Sequence, residues 1–215
     1  MERFLAYPLQ EIPYVVITLI IAFTFHEFAH AFVAYKFGDM TAKNQGRLTL
    51  NPIKHLDPFG TILILIAGFG WARPVPVNRF HFKKPRLAGV LVSVAGPLSN
   101  LVLAAIGFMI NFGINRFGAA SDNFYLFLEI FIWLNIVLFV FNLLPLPPLD
   151  GYRIVEDLAP NQLRAKMTQY EQYGILIFLI LVITPLNRFT IQPMFQEVVP
   201  RVWNVLGSFI KGLIL

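Results

Sequence analysis

The sequence has no cysteine among its 215 residues, which excludes disulfide bonds, thiolate metal sites and cysteine nucleophiles. Charged residues are also scarce, at 13% of the chain, whereas 57% of the residues are hydrophobic. This composition is too apolar for an ordinary soluble domain and indicates an integral membrane protein. Any metal site must therefore use nitrogen and oxygen ligands from histidine and carboxylate side chains.

The N-terminus lacks the features of a cleavable signal peptide. Met1-Glu2-Arg3 leads into an apolar stretch that has no Ala-x-Ala-like end. We therefore expect the first membrane span to insert and to stay in the mature protein.

Basic residues are concentrated in short loops between apolar segments. Residues 73–86 carry five arginines and lysines and no acidic residue, and residues 36–54 add four more basic residues. The positive-inside rule predicts that both loops are cytoplasmic and that the N-terminus is external. This topology explains the net charge of +5 better than nucleic-acid binding does, and we expect no nucleic-acid partner.

Three apolar runs, at residues 12–35, 87–115 and 130–149, are long enough to cross a hydrocarbon core of about 30 Å. The run at residues 59–72 is below the roughly 17 residues that an upright span needs, so it is predicted to be re-entrant, or a short helix or strand. Residues 173–187 form another candidate span. The tail from Val202 has an apolar helical stripe that suits either an interfacial helix or a span.

The predicted fold is an all-α polytopic membrane protein with about four to six transmembrane helices and a short re-entrant or β-like membrane-associated segment. Residues 1–215 form a single domain in this prediction. Its catalytic core covers about residues 12–155, and its C-terminal helices cover about residues 173–215.

The segment His26-Glu27-Phe28-Ala29-His30 lies within an apolar run that has no other charged residue. Residues four apart share a helix face, so His26 and His30 can offer two imidazoles to one metal. Glu27, on an adjacent face, is placed to reach a metal-activated water. A carboxylate at the centre of a membrane helix costs about 2.5–3.5 kcal/mol, and this cost favours a functional site over packing alone.

A catalytic zinc usually has three protein ligands and one open position, so the motif needs a third donor. We predict Asp150, because the topology returns the span at residues 130–149 to the depth of the two histidines. Pro145, Pro147 and Pro148 break that helix, and the freed carbonyls are tolerated at membrane depth only within protein or beside a water cavity. The alternative is that Asp150-Gly151 only makes a turn at the membrane surface.

His55 and His81 are competing third ligands, and both lie in basic loops. Most loop histidines are simply solvated. His55 lies among the turn-forming residues 51–58 and could instead orient a metal ligand.

Asn142 and Asn100 are neutral hydrogen-bond donors in apolar helices. Such asparagines commonly form hydrogen bonds between membrane helices, but they can also donate to a substrate carbonyl or to the oxyanion that develops from it. We predict a catalytic role for Asn142 beside Glu27 and leave the role of Asn100 open.

Prolines alternate with valines in the segment Arg73-Pro74-Val75-Pro76-Val77-Asn78. This pattern suits an extended edge segment rather than a helix. Next to a proteolytic metal, such a segment could pair with an unwound substrate strand. The alternative is a plain extended loop.

Four motifs together resemble those of the site-two protease family of intramembrane zinc metalloproteases, in its compact form without a PDZ or CBS domain. They lie at residues 26–30 (HEFAH), 46–52 (GRLTLNP), 95–97 (AGP) and 142–151 (NLLPLPPLDG). The resemblance departs at the N-terminus, where only about ten residues precede the motif span and some members have an additional leading helix. The compact form suggests a bacterial or archaeal plasma membrane.

The resemblance implies one Zn²⁺ per chain at His26, His30 and Asp150, with Glu27 as catalytic acid and base and Asn142 near the substrate carbonyl. The expected function is intramembrane cleavage of a transmembrane protein substrate near the cytoplasmic side of the bilayer, as in regulated intramembrane proteolysis.

One alternative is a metal-ion transporter that uses the same cluster as its binding site. Another is a metal-stabilised scaffold that has lost catalysis, against which the intact Glu27 argues. The sequence leaves the substrate, the upstream activating step and the oligomeric state open.

Overall fold

The computed structural model describes residues 6–67, 70–118 and 120–214. Within these ranges the chain is helical and has no β-strand. The α-helices are α1 (Ile12–Lys36), α2 (Thr41–Asn44), α3 (Pro58–Ala67), α4 (Pro85–Phe117), α5 (Asp122–Asn142), α6 (Asp150–Leu158), α7 (Asn161–Glu171), α8 (Gly174–Ile183), α9 (Asn187–Thr190) and α10 (Val199–Ile214). Short 3₁₀ turns cover Pro52–Lys54 and Arg79–His81, and a π-helical turn, Met194–Val198, precedes α10.

Three of the described helices, α1, α4 and α5, are long and apolar enough to cross a membrane. The shortest of them, α5, has 21 residues and is therefore about 31 Å long at 1.5 Å per residue. These helices match the three long apolar runs of the sequence. A total of four to six spans stays a prediction.

The shorter apolar runs form helices too short to span upright. The run after Asp57 forms α3, which has 10 residues, so its described part is a helix and not a strand. Its re-entrant course stays a prediction, and residues 68–69 lie outside the described chain. The candidate span at residues 173–187 contains α8, also of 10 residues.

The C-terminal helix α10 packs only part of its predicted apolar stripe. Val202, Trp203 and Leu206 contact the core formed with α4 and α5, and Ile210 is buried in that core. In contrast, Phe209 is 62% exposed.

Helix α4 lies at the centre of the bundle and packs against α1, α5, α6 and α10. Its second half forms an apolar core with α5 and α10, in which Ala104, Phe108, Ile132 and Ile136 are buried. A second apolar cluster joins α1, α3 and α5 around Leu19, and a third joins the end of α1 to the start of α4. The first half of α4 faces polar side chains of α1 and α6.

Candidate active site

His26 and His30 lie on one face of α1, because residues four apart on a helix share a face. Their Nε2 atoms lie 3.0 Å apart. Oδ2 of Asp150 lies 3.2 Å from Nε2 of His26 and 3.3 Å from Nε2 of His30. The structure thus brings together the three residues that were predicted as metal ligands, and their donor atoms all lie within 4.8 Å of one another.

Asp150 reaches the histidines because the chain reverses sharply between α5 and α6. Helix α5 ends at Asn142, the proline-rich segment follows, and Asp150 is the first residue of α6. Gly151 allows a close approach here, since a Cβ atom at this position would overlap the carbonyl oxygens of Leu143 and Leu144. A residue larger than glycine at position 151 would therefore displace the start of α6, and with it the carboxylate of Asp150, from the histidines.

The outer nitrogens of both imidazoles bond to protein oxygens. Nδ1 of His26 lies 2.7 Å from Oδ1 of Asn100, and Nδ1 of His30 lies 2.7 Å from the carbonyl oxygen of Val92. These oxygens accept hydrogen bonds, so each neutral ring carries its proton on Nδ1. Both Nε2 atoms then present lone pairs to each other and to the carboxylate of Asp150.

Three hydrogen-bond acceptors face one another at this position, and this arrangement calls for a cation. Oδ2 of Asp150 is buried and forms no hydrogen bond with the described residues. Two histidines and one carboxylate form a donor set used by catalytic zinc, which keeps a further position open. A Cβ atom on Gly96 of α4 would overlap the Nε2 atoms of both histidines, so a glycine keeps this space clear. The residues present fit a zinc ion.

Glu27 is buried beside the two histidines and is 7% exposed. Its Oε2 atom accepts a hydrogen bond of 2.8 Å from the backbone N–H of Val75. Val75 stands between Pro74 and Pro76, which have no N–H group. It therefore supplies the one amide donor of this tripeptide. In the described chain this segment belongs to neither a helix nor a strand.

Glu27, the histidines and Asp150 line a cavity of about 280 Å³ together with the Val75 segment and the C-terminal end of α5. Asn142 lines the same cavity, and its Nδ2 donates to the carbonyl of Leu138 at 2.9 Å. A second, mainly apolar cavity of about 260 Å³ lies between α1, α3, α5 and α8. The two cavities share walls formed by Phe23, Gly70, Leu138 and Phe141.

Asn100 lies behind His26 rather than in the cavity. Its Oδ1 faces Nδ1 of His26, and its Nδ2 lies 3.1 Å from Oδ1 of Asn135 and 3.3 Å from the carbonyl of Ala22. Asn135 was not among the predicted site residues, although an asparagine inside an apolar span is a visible signal in the sequence.

The two loop histidines, His55 and His81, form hydrogen bonds away from this cluster. Nε2 of His55 lies 2.7 Å from the carbonyl oxygen of Thr49, and burial lowers the pKa of His55. Nδ1 of His81 lies 2.9 Å from Oδ1 of Asp39. Among the described residues, the cluster that could hold a metal contains neither of them.

Asp39 ties the loop before α4 to the end of α1. Its carboxylate accepts hydrogen bonds from Thr41, His81 and the backbone N–H of Asn78. Burial opposes its charge, but these hydrogen bonds outweigh burial and hold the pKa of Asp39 below its ordinary value. The loop that carries Val75 is therefore fixed at its far end.

A buried ion cluster ties the same loop to α6. Nη1 of Arg79 lies 3.0 Å from both Oε2 of Glu156 and Oδ1 of Asp157, and Nη2 of Arg164 lies 3.2 Å from Asp157. Burial raises the pKa of Asp157 despite these two guanidinium groups. Both acids lie near the end of the helix that begins with Asp150.

Comparisons with known proteins identify relatives of this chain. The chain is 67% identical over 219 aligned residues to "Putative zinc metalloprotease YwhC" of Bacillus subtilis, and the alignment covers 100% of both chains. The model for peptidase family M50 matches residues 112–185. This chain belongs to peptidase family M50.

More distant M50 relatives include "Putative zinc metalloprotease Rip2" of Mycolicibacterium smegmatis, 35% identical over 76% of this chain, and its namesake of Mycobacterium tuberculosis, 33% identical over 77%. The chain spans 64% and 65% of the length of these two relatives. No solved structure matches it significantly.

Membership of the M50 family implies zinc and supports a metalloprotease in the membrane. The comparisons give no support to the metal-transporter alternative.

Proposed function

We propose that this M50 protein is an intramembrane zinc endopeptidase that cleaves a transmembrane segment of another membrane protein. The observation that carries the proposal is the cluster of three buried acceptor atoms, from His26, His30 and Asp150, beside the buried carboxylate of Glu27. A transporter needs binding groups along a path across the membrane, but it does not need a general base next to them.

His26, His30 and Asp150 would hold one zinc ion in each chain. Bound zinc supplies a Lewis acid that polarises the scissile carbonyl and activates water at neutral pH. The two outer hydrogen bonds, to Asn100 and to the Val92 carbonyl, fix the ring orientations in advance. Gly96 keeps side-chain bulk out of the space that these donors share.

Glu27 is the proposed general base and general acid. The amide of Val75 bonds to Oε2, which leaves Oε1 to accept the proton of the attacking water and then to deliver it to the leaving amide nitrogen. Burial beside the cavity keeps this carboxylate within reach of a substrate.

A transmembrane substrate must unwind before it can be cut, because its carbonyls are otherwise engaged in the hydrogen bonds of its helix. The cavity provides polar groups for an unwound stretch, and the adjoining apolar cavity suits side chains that come from the lipid phase. We propose that Asn142, which lines the first cavity, donates to the substrate carbonyl.

We place the reaction near the cytoplasmic side of a bacterial plasma membrane. The charge distribution supports this side, since the loops next to the site, at residues 36–54 and 73–86, carry nine arginines and lysines and one acid, Asp39. We treat residues 1–215 as one catalytic domain that acts within the lipid bilayer on a membrane-protein partner.

The test is cleavage of a panel of tagged single-span substrates by purified wild-type protein and by Glu27→Gln at matched zinc content. We expect the wild type to cut and the variant to bind zinc without cutting. Equal cleavage by both would remove Glu27 from the mechanism. Failure of the wild type on every substrate, with zinc bound, would contradict the endopeptidase proposal.

A further inference from the structure

A chain of buried polar groups runs behind His26 from α1 through α4 to α5. Nδ1 of His26 bonds to Asn100 at 2.7 Å, Asn100 bonds to Asn135 at 3.1 Å, and Asn135 bonds to the backbone carbonyl of Phe131 at 2.8 Å. Both asparagines are 0% exposed, so water does not compete for these bonds. Nothing in the proposed cleavage reaction so far uses Asn135.

The direction of every bond in this chain follows from its far end. The carbonyl of Phe131 can only accept, so Asn135 must turn its NH₂ group toward it. Oδ1 of Asn135 then faces Asn100, which must present its own NH₂ group to Asn135 and to the carbonyl of Ala22. Asn100 has only Oδ1 left for His26.

This order of donors and acceptors selects one tautomer of His26. An oxygen that faces Nδ1 requires the proton on Nδ1, and Nε2 keeps its lone pair toward Asp150. An asparagine amide can rotate by half a turn with little change in shape. If Asn100 rotated, its NH₂ group would favour the proton on Nε2, the atom that must bind the metal.

We propose that Asn135 is a positioning residue that acts through Asn100 to hold His26 in the metal-binding tautomer. This inference rests on the proposed zinc site. Asn135 opposes the rotation of the Asn100 amide together with the carbonyl of Ala22, because a rotated Asn100 would place its oxygen against Oδ1 of Asn135 at the shorter of the two contacts.

His30 provides an internal contrast. Its Nδ1 faces the backbone carbonyl of Val92 at 2.7 Å, and a backbone carbonyl within a helix cannot exchange places with a donor. One acceptor is therefore enough for His30, whereas the side-chain acceptor of His26 needs further hydrogen bonds, to Asn135 and to the Ala22 carbonyl, to fix its direction.

The experiment compares the zinc affinities of purified variants by competition with a chelator. Asn100→Leu removes the acceptor and should weaken zinc binding about 10- to 100-fold. Asn135→Leu removes one of the two acceptors that hold the amide of Asn100 and should cost about 2- to 12-fold, the value of one neutral hydrogen bond.

The decisive variant combines two changes. In the Asn100→Leu background there is no amide left to rotate, so we expect the addition of Asn135→Leu to cause no further loss of affinity. An equal loss from Asn135→Leu in both backgrounds would show a packing effect and would overturn the proposal. If Asn135→Leu does not fold, Asn135→Ala gives the same comparison with a smaller side chain.

Thr18→Val is the matched control, because Thr18 is 0% exposed on α1 and its hydroxyl has no hydrogen-bond partner among the described residues. It should leave both the zinc affinity and the visible spectrum of the cobalt-substituted protein unchanged, whereas Asn135→Leu should alter that spectrum.

His26→Ala separates the two proposals. If it does not weaken zinc binding, the zinc site itself fails; if it does and the two-background result is additive, only the role of Asn135 fails.

Discussion

The two halves of α4 perform different tasks with different chemistry. Toward its start, the Val92 carbonyl, Gly96 and Asn100 meet the histidines of α1. Toward its end, Ala104 and Phe108 are buried in the apolar core with α5 and α10. One continuous helix thus contributes to a polar site along its first half, while apolar packing along its second half stabilises the bundle.

The largest effect is expected from a substitution that disrupts only the polar half of α4. Gly96→Ala adds a Cβ atom that would overlap Nε2 of both histidines, and we expect zinc binding to be lost. Gly113→Ala is the control on the same helix, because a Cβ atom there meets no atom within 4 Å. Zinc content after dialysis measures the effect, and equal zinc content in the two variants would contradict the description of the site.

The next largest effect is expected from a substitution that disrupts only the apolar half of α4. Phe108 is 3% exposed and packs edge-on against Trp203, with ring centroids 4.9 Å apart. Phe108→Ala should lower the free energy of unfolding by about 3–5 kcal/mol. Zinc affinity at a temperature where the variant is still folded should stay at the wild-type value. A weaker affinity under those conditions would show that the two halves are not independent.

A smaller effect is expected when the hydrogen bond between Val75 and Glu27 in the polar site is removed. Val75→Pro removes the amide that bonds to Oε2 of Glu27, and a hydrogen bond to a charged group contributes about 1.5–3 kcal/mol. We expect kcat to fall by roughly 10- to 150-fold, with little change in zinc content. Val75→Ala keeps the amide and should retain activity, so similar kinetics of the two variants would refute the role of this bond.

The smallest effect concerns the loop anchor outside the membrane. Because hydrogen bonds lower the pKa of Asp39 in the folded protein, its contribution to stability is complete above the unfolded pKa of 3.8 and is lost as pH falls through the folded value. Asp39→Asn should cost about 1 kcal/mol at neutral pH and should flatten the acid side of the stability curve. Melting temperatures of the wild type and the variant, measured between about pH 2 and about pH 7, test this expectation. Parallel curves for the two proteins would contradict the role of Asp39.

Much of the site followed from the sequence because side-chain type and spacing carried the information. The spacing of His26 and His30 fixes their shared face, and the prolines before Asp150 indicate where a helix must stop. The three long helices followed from apolar run length. The span count did not, since α3 and α8 are apolar but short.

Two parts of the site could not be read from side-chain patterns. The donor to Glu27 is the backbone amide of Val75, and every residue except proline has such a group. Asn100 was recognised as a polar residue in an apolar helix, but its pairing with His26 and Asn135 depends on how three helices pack, which spacing along one helix does not specify.

Helix α6 connects the ion pairs at its C-terminal end to the candidate metal site. Asp150 is its first residue, and Glu156 and Asp157, near its other end, pair with Arg79 and Arg164. Its 9 residues form a rod only about 13 Å long, too short to bend appreciably. If α6 moves as a rigid unit, a displacement of its anchored end also moves the carboxylate at the opposite end, which couples the ion pairs of Arg79 and Arg164 to the position of Asp150.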